Sequence, residues 1–197
     1  LEDGNVELKN HLWIVSDSDF AAVKIGSQDY IGGTGYTVAI GARAGQSSQS
    51  SAAVAIGYGA GRSTQGGSSV SIGHSAGATS QGSEAVGVGK WAGQQSQNAF
   101  SVAVGSTAGS FYQGEKSTAV GYRAGRSLQG DYALALGAYA GETSQHANSI
   151  ILNATGVAKD TTNAEATYIH TLRDSTDVTA NLIAYTDEGE LVNYSNM

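Results

Sequence analysis

Four groups of residues in this chain have the types that do chemistry, and their spacing decides how far each can go. Asp17-Ser18-Asp19 sets two carboxylates at alternate positions, as a calcium loop does, but the glycine and the bidentate Glu that complete such a loop do not follow. Gly87-Val88-Gly89-Lys90-Trp91-Ala92-Gly93 looks like a phosphate-cradling loop, yet it lacks the Lys-Ser/Thr ending that reaches phosphate and magnesium. His11, His74, His146 and His170 stand apart, without the spacing that brings two imidazoles to one metal ion. A glycosidase needs a pair of acids, and no feature selects a pair among Glu84, Glu115, Asp131 and Glu142. No serine sits in a nucleophile elbow. The chain therefore reads as non-enzymatic, with no cofactor and no metal site.

Composition narrows the remaining classes. The formal charge is −7 with the acids scattered, so there is no basic stripe for nucleic acid. No apolar run approaches the length of a membrane span, and the acidic start Leu1-Glu2-Asp3-Gly4 does not read as a signal peptide. The 28 glycines come without proline and without a three-residue period, which excludes collagen. Cysteine is absent, and with it disulfide staples and thiolate metal sites.

The glycine-rich strings belong to a repeat. Ala39-Ile40-Gly41-Ala42-Arg43-Ala44-Gly45 returns from Ala55 to Gly61 and onward to Gly141, with the first glycine at 41, 57, 73, 89, 105, 121 and 137. The step is 16 residues without insertion, and Gln49, Gln65, Gln81, Gln97, Gln113, Gln129 and Gln145 keep it too. Such self-similarity predicts a stack of identical units. In each copy two apolar residues stand two apart, as at Val38/Ile40 and Val102/Val104, with Ala, Ser or Gly between them. The spacing and the β-branched bias predict a short strand, and the following glycine a corner. The expected fold is all-β, a parallel β-solenoid or β-roll of seven 16-residue repeats with short β flanks at both ends. The Val/Ile rows are expected to form the core, with the small residues between them on a flat opposite face. The Gln row fits either an amide ladder along the axis or a solvated turn.

Two large apolar side chains per coil are too few to offset the ordering of sixteen residues. The core is therefore expected to be shared between chains, with the alanines at 44, 60, 76, 92, 108, 124 and 140 allowing close approach. Against this regularity, aromatic and cationic residues occupy the positions that vary between copies. Tyr58, His74, Trp91, Tyr122, Arg123 and Tyr139 follow the corner glycine, and Phe100 and Tyr132 share a second variable row with Tyr36 and Lys116. Rings and cations on a rigid scaffold suit stacking on sugar faces, so these are the candidate binding residues. Ser and Thr at 47/48, 63/64, 79/80 and 143/144 suggest an ice-binding face, but Phe111-Tyr112 and Leu128 interrupt it.

Ser101-Val102-Ala103-Val104-Gly105 and Val54-Ala55-Ile56-Gly57 resemble the head repeats of trimeric autotransporter adhesins, over residues 36–156 and with a repeat slightly longer than theirs. The resemblance implies left-handed parallel β-rolls packed three side by side. Residues 148–156 close the array, and the strings at 166–173 and 182–194 follow. This order is similar to the stretch preceding the self-cleaving intramolecular chaperone of phage and large-virus tail-fibre and spike proteins. That likeness implies a homotrimer on the virion, a chaperone released near Tyr194-Ser195-Asn196-Met197, and contact with a host cell-surface glycan or protein receptor. A bacterial trimeric surface adhesin is the alternative setting, and a glycan-degrading spike a more distant one. Three segments are expected: a β flank or cap at 1–35, the roll at 36–156, and a strand and hairpin at 157–197 that turns at Asp187-Glu188-Gly189.

Overall fold

The computed structural model describes residues 36–170 continuously, together with the strands Leu12–Val15, Ala22–Ser27, Leu182–Tyr185 and Leu191–Tyr194. The described chain is an all-β parallel solenoid of about eight turns, each of roughly 16 residues, without a helix. Every coil repeats one path. A strand such as Val102–Val104 lies in one sheet, a glycine corner turns the chain, a strand such as Phe111–Gln113 lies in the second sheet, and another corner returns it.

Strands of the first kind stack in parallel from Tyr36–Ile40 to Thr167–His170, with partners such as Val86↔Val102 and Val102↔Thr118. Ala22–Ser27 and then Leu12–Val15 extend this long sheet antiparallel beyond the first coil, so its edge there is covered. Strands of the second kind form a six-stranded sheet from Ser47–Gln49 to Ser127–Gln129. Leu182–Tyr185 pairs antiparallel with Leu191–Tyr194, as the hairpin reading requires. Its turn residues, along with His11, Val6-Glu7-Leu8 and Asp17-Ser18-Asp19, lie outside the described residues.

The interior corrects the expected core. Residues on a strand alternate between faces, and it is the small residue between the two large ones that points inward. Ala55, Ser71, Ala103, Ala119 and Ala135 are completely buried, whereas Val and Ile on either side lie half-buried on the outer face, with Ile72 37% and Leu136 45% exposed. The alanine row at 44 to 140 is also inside the chain, so it packs the chain's own interior and cannot be a contact between chains. Ala103, Ala108, Ala119 and Ala124 form one cluster with their neighbours, closed at the far end by Ile151 and Tyr168. The reason is width. Tight corners bring the two sheets close enough that methyl groups, hydroxyls and one amide per coil fill the gap.

That amide is the repeated glutamine, and the solvated-turn alternative falls away. All seven glutamines from Gln49 to Gln145 are buried. Gln97 Nε2 donates to the backbone carbonyl of Val86 at 2.9 Å and that of Ser101 at 3.4 Å, while Gln97 Oε1 accepts from Gln81 Nε2 at 3.1 Å. Gln129 and Gln145 repeat the inter-coil bond. Each amide thus ties its short-sheet strand to the long sheet and, at these pairs, one coil to the next. Gln97→Ala is expected to cost about 2–4 kcal/mol through lost hydrogen bonds and a void. Gln95→Ala, exposed on the same strand, should stay within about 0.5 kcal/mol in the same chemical denaturation series.

The end of the array is sealed by polar groups. Asn153 occupies the corner-glycine register, buried, and its Nδ2 donates to the carbonyls of Ala138 at 2.9 Å and Val157 at 2.7 Å. Asp160 accepts the backbone N–H groups of Thr143 and Ser144 and the Thr143 hydroxyl, so the last short-sheet turn ends on a carboxylate. Among the described residues, no helix is long and apolar enough to cross a membrane.

Candidate binding ridges on the two edges of the roll

The variable residues sit at the corners because the corners are where side chains can leave the stack. In one coil Phe100, Gly105, Thr107, Gly109 and Tyr112 all have positive φ. Sequence reasoning assigns this conformation to glycine, yet three of the five residues carry side chains. The second residue of each post-glycine pair falls on such a position, as do Phe100, Lys116 and Tyr132 of the other variable row, and Trp91, Phe100 and Tyr132 are exposed there. Tyr58 and Tyr122 immediately precede such a position and are exposed as well.

The two rows lie on opposite edges of the roll, since one corner leads from the long sheet to the short sheet and the other leads back. The eight candidate residues therefore divide. Tyr58, His74 and Trp91 come together on the first edge. Tyr58 stacks on His74 with centroids 5.1 Å apart and planes at 26°, and His74 meets Trp91 edge-on at 6.3 Å. Lys90 Nζ sits 4.1 Å over the Trp91 ring, and Arg43 lies 6.0 Å from the centre of Tyr58.

Farther along the same edge, Tyr122 and Tyr139 meet edge-on at 5.3 Å with the Arg123 guanidinium over both rings. Arg123 also pairs with Glu142 at 3.2 Å. Phe100 and Tyr132 belong to the opposite edge, where Lys116 bridges them at 5.7 and 5.2 Å from the two ring centres. Lys116 Nζ pairs with Glu115 at 2.7 Å and donates to Tyr132 at 3.3 Å. The hydrogen bond to Glu115, then that to Tyr132, raises the Lys116 pKa above its ordinary value. Lying at the surface, this pair does little for stability.

Some surface features go beyond the candidate residues. Lys90 and Lys116 organise the ring clusters, and their sequence signal was their position on the same variable rows. Glu115 and Asp131 share a register one coil apart, where Asp131 Oδ1 accepts the Glu115 backbone N–H at 2.8 Å. That carboxylate is spent on a turn. On the outer face of the short sheet, Tyr112 and Leu128 are 56% and 59% exposed, so they break the Ser/Thr files as read from the sequence. Among the described residues, no three His, Cys, Asp or Glu side chains gather as a metal site. No protein-family model, curated protein or solved structure matches the chain.

Proposed function

We propose that this chain is a structural and attachment segment of a homotrimeric fibre, set on a virion as a tail fibre or spike. The observation that carries the reading is the outer face of the long sheet. Its two files run Val38, Val54, Val70, Val86, Val102, Thr118, Leu134 and Ile150, and Ile40, Ile56, Ile72, Val88, Val104, Val120, Leu136 and Leu152. Neither file contains a charged residue. An uncharged strip along a whole solenoid, apolar at every position but Thr118, exceeds what solvated surfaces leave bare. Its natural occupant is a second copy, which presents the same strip at the same axial spacing and so mates with it over the full length.

The number three comes from the likeness to adhesin heads and to chaperone-assembled fibres. The corners stay free at the edges of the shared core and can carry contact with a host cell-surface glycan or receptor. The virion setting rests on the order of segments after the array. The assembly is tested by light scattering on unheated protein, for which a mass near three times the 20.0 kDa chain is expected. A folded, heat-stable single chain overturns the proposal.

A further inference from the structure

We infer that the Tyr58–His74–Lys90–Trp91 ridge is a binding site for an acidic glycan, laid along the fibre axis. The inference deepens the attachment role proposed above and rests on it.

Three clusters of rings and cations occupy the two edges, and their ion pairing tells them apart. Arg123 is paired with Glu142 at 3.2 Å, a carboxylate that Arg126 also approaches at 4.0 Å, and Lys116 is paired with Glu115 at 2.7 Å. Lys90 has an aromatic face beneath it at 4.1 Å, and among the described residues no carboxylate pairs with it. The edge around it is one-signed. In the corners at 58–62, 74–78, 90–94 and 106–110 the charged residues are Arg62 and Lys90, and there is no Asp or Glu. Among the described corners of this edge the first acid is Glu142, in a chain whose net charge is −7. A local positive edge on an acidic protein attracts an anion to this place in preference to the rest of the surface.

Folding does not require these rings. Trp91 holds a left-handed backbone conformation at φ 59°, and the same corner position is filled by Gly59, Ser75 and Thr107 as well as by Arg43, Arg123 and Tyr139, so no ring is needed there for the coil to form. From Tyr58 to Trp91 the ridge rises two coils, about 10 Å, enough for a short run of pyranose rings. Their C–H faces suit the indole and phenol, and a carboxylate or sulfate suits Lys90. A strip one corner wide is short of the roughly 1,000 Å² of a stable protein interface. Nucleic acid, with one charge per about 1.7 Å of duplex, demands far denser cations than this edge supplies.

The assembled protein is applied to immobilised uronate-, sialate- and sulfate-bearing oligosaccharides, to neutral N-acetylglucosamine and glucose oligomers, and to oligodeoxythymidylate. Retention of at least one acidic glycan over the neutral ones is expected. Trp91→Ala should weaken it about tenfold or more, and Lys90→Gln should abolish the preference for acid. Gln95→Ala, at an exposed short-sheet position outside all three clusters, should leave it unchanged. Absence of acidic-glycan retention overturns the inference, as does retention that survives both Trp91→Ala and Lys90→Gln, or equal retention of oligodeoxythymidylate. Binding by a single 20.0 kDa chain would sink the trimer and leave this site standing.

Discussion

Val88→Glu combined with Val104→Glu is expected to reduce the solution mass from that of the assembly to that of one 20.0 kDa chain, or to leave an unfolded chain of the same mass. The two valines are direct partners on neighbouring strands of the long sheet, and both face outward. Burying one carboxylate at an apolar interface costs several kcal/mol. Here two like charges would lie side by side in each chain, and every copy would bring its own pair to the shared face. If the same face were simply solvated, the substitutions would change little and the mass would stay as it was. Ser80→Glu is the control, an exposed position on the outer face of the short sheet, where the assembly should keep its mass. Retention of the parent mass by the double variant refutes the interface assigned to the long sheet.

Gly105→Ala has the largest expected effect on stability, a loss above about 4 kcal/mol that takes the central coils with it. Gly105 has φ 128°, and a Cβ there would stand 2.5 Å from the carbonyl oxygen of Gly121 and 2.8 Å from its carbon. Both contacts are with backbone, so relief requires the coils to separate. Separation breaks the bond from the Gly105 N–H to the Val88 carbonyl and that from the Gly121 N–H to the Val104 carbonyl, each 2.8 Å. The corner glycines nest one on the next, and a Cβ on Gly89 would likewise stand 2.6 Å from the Gly105 carbonyl oxygen, so the damage spreads in both directions. Gly156→Ala provides the contrast. Its φ is 73° and a Cβ there meets nothing within 4 Å, which limits the cost to about 1–2 kcal/mol of backbone strain. Thermal unfolding at one fixed protein concentration compares the variants. A Gly105→Ala protein as stable as Gly156→Ala would mean that the coils are not in register at the corner.

The candidate site was legible in part for a physical reason. A translational stack turns a sequence position into a line on the surface, so the departures from the repeat already mark which residues leave the scaffold. Tyr58, His74 and Trp91 could be grouped from their spacing once the corner is known, because adjacent coils bring equivalent positions within ring contact. The two rows were separate in the sequence, but that Phe100 and Tyr132 lie on the opposite edge from the other six could not be read, because it depends on which corner each row occupies. Nor could ion pairing, which separates Lys90 from Lys116 and Arg123, since Glu142 reaches Arg123 from a different register.

The sequence by itself determined the 16-residue coil, the strand at each Val-x-Ile, the glycine corner and the parallel stacking. These follow from the repeat, because one coil's geometry must be compatible with its own copy placed above it. Only the tertiary structure decided which side of the strand is inside. Alternation shows that Val102 and Val104 share a face and Ala103 takes the other, but it is symmetric about the sheet. The usual expectation places large apolar residues within. Here the tight corners, with positive φ at Gly89, Trp91, Gly93 and Phe100 in one coil, draw the two sheets together until only alanine, serine and a hydrogen-bonded glutamine fit. The valines and isoleucines are left on the outside.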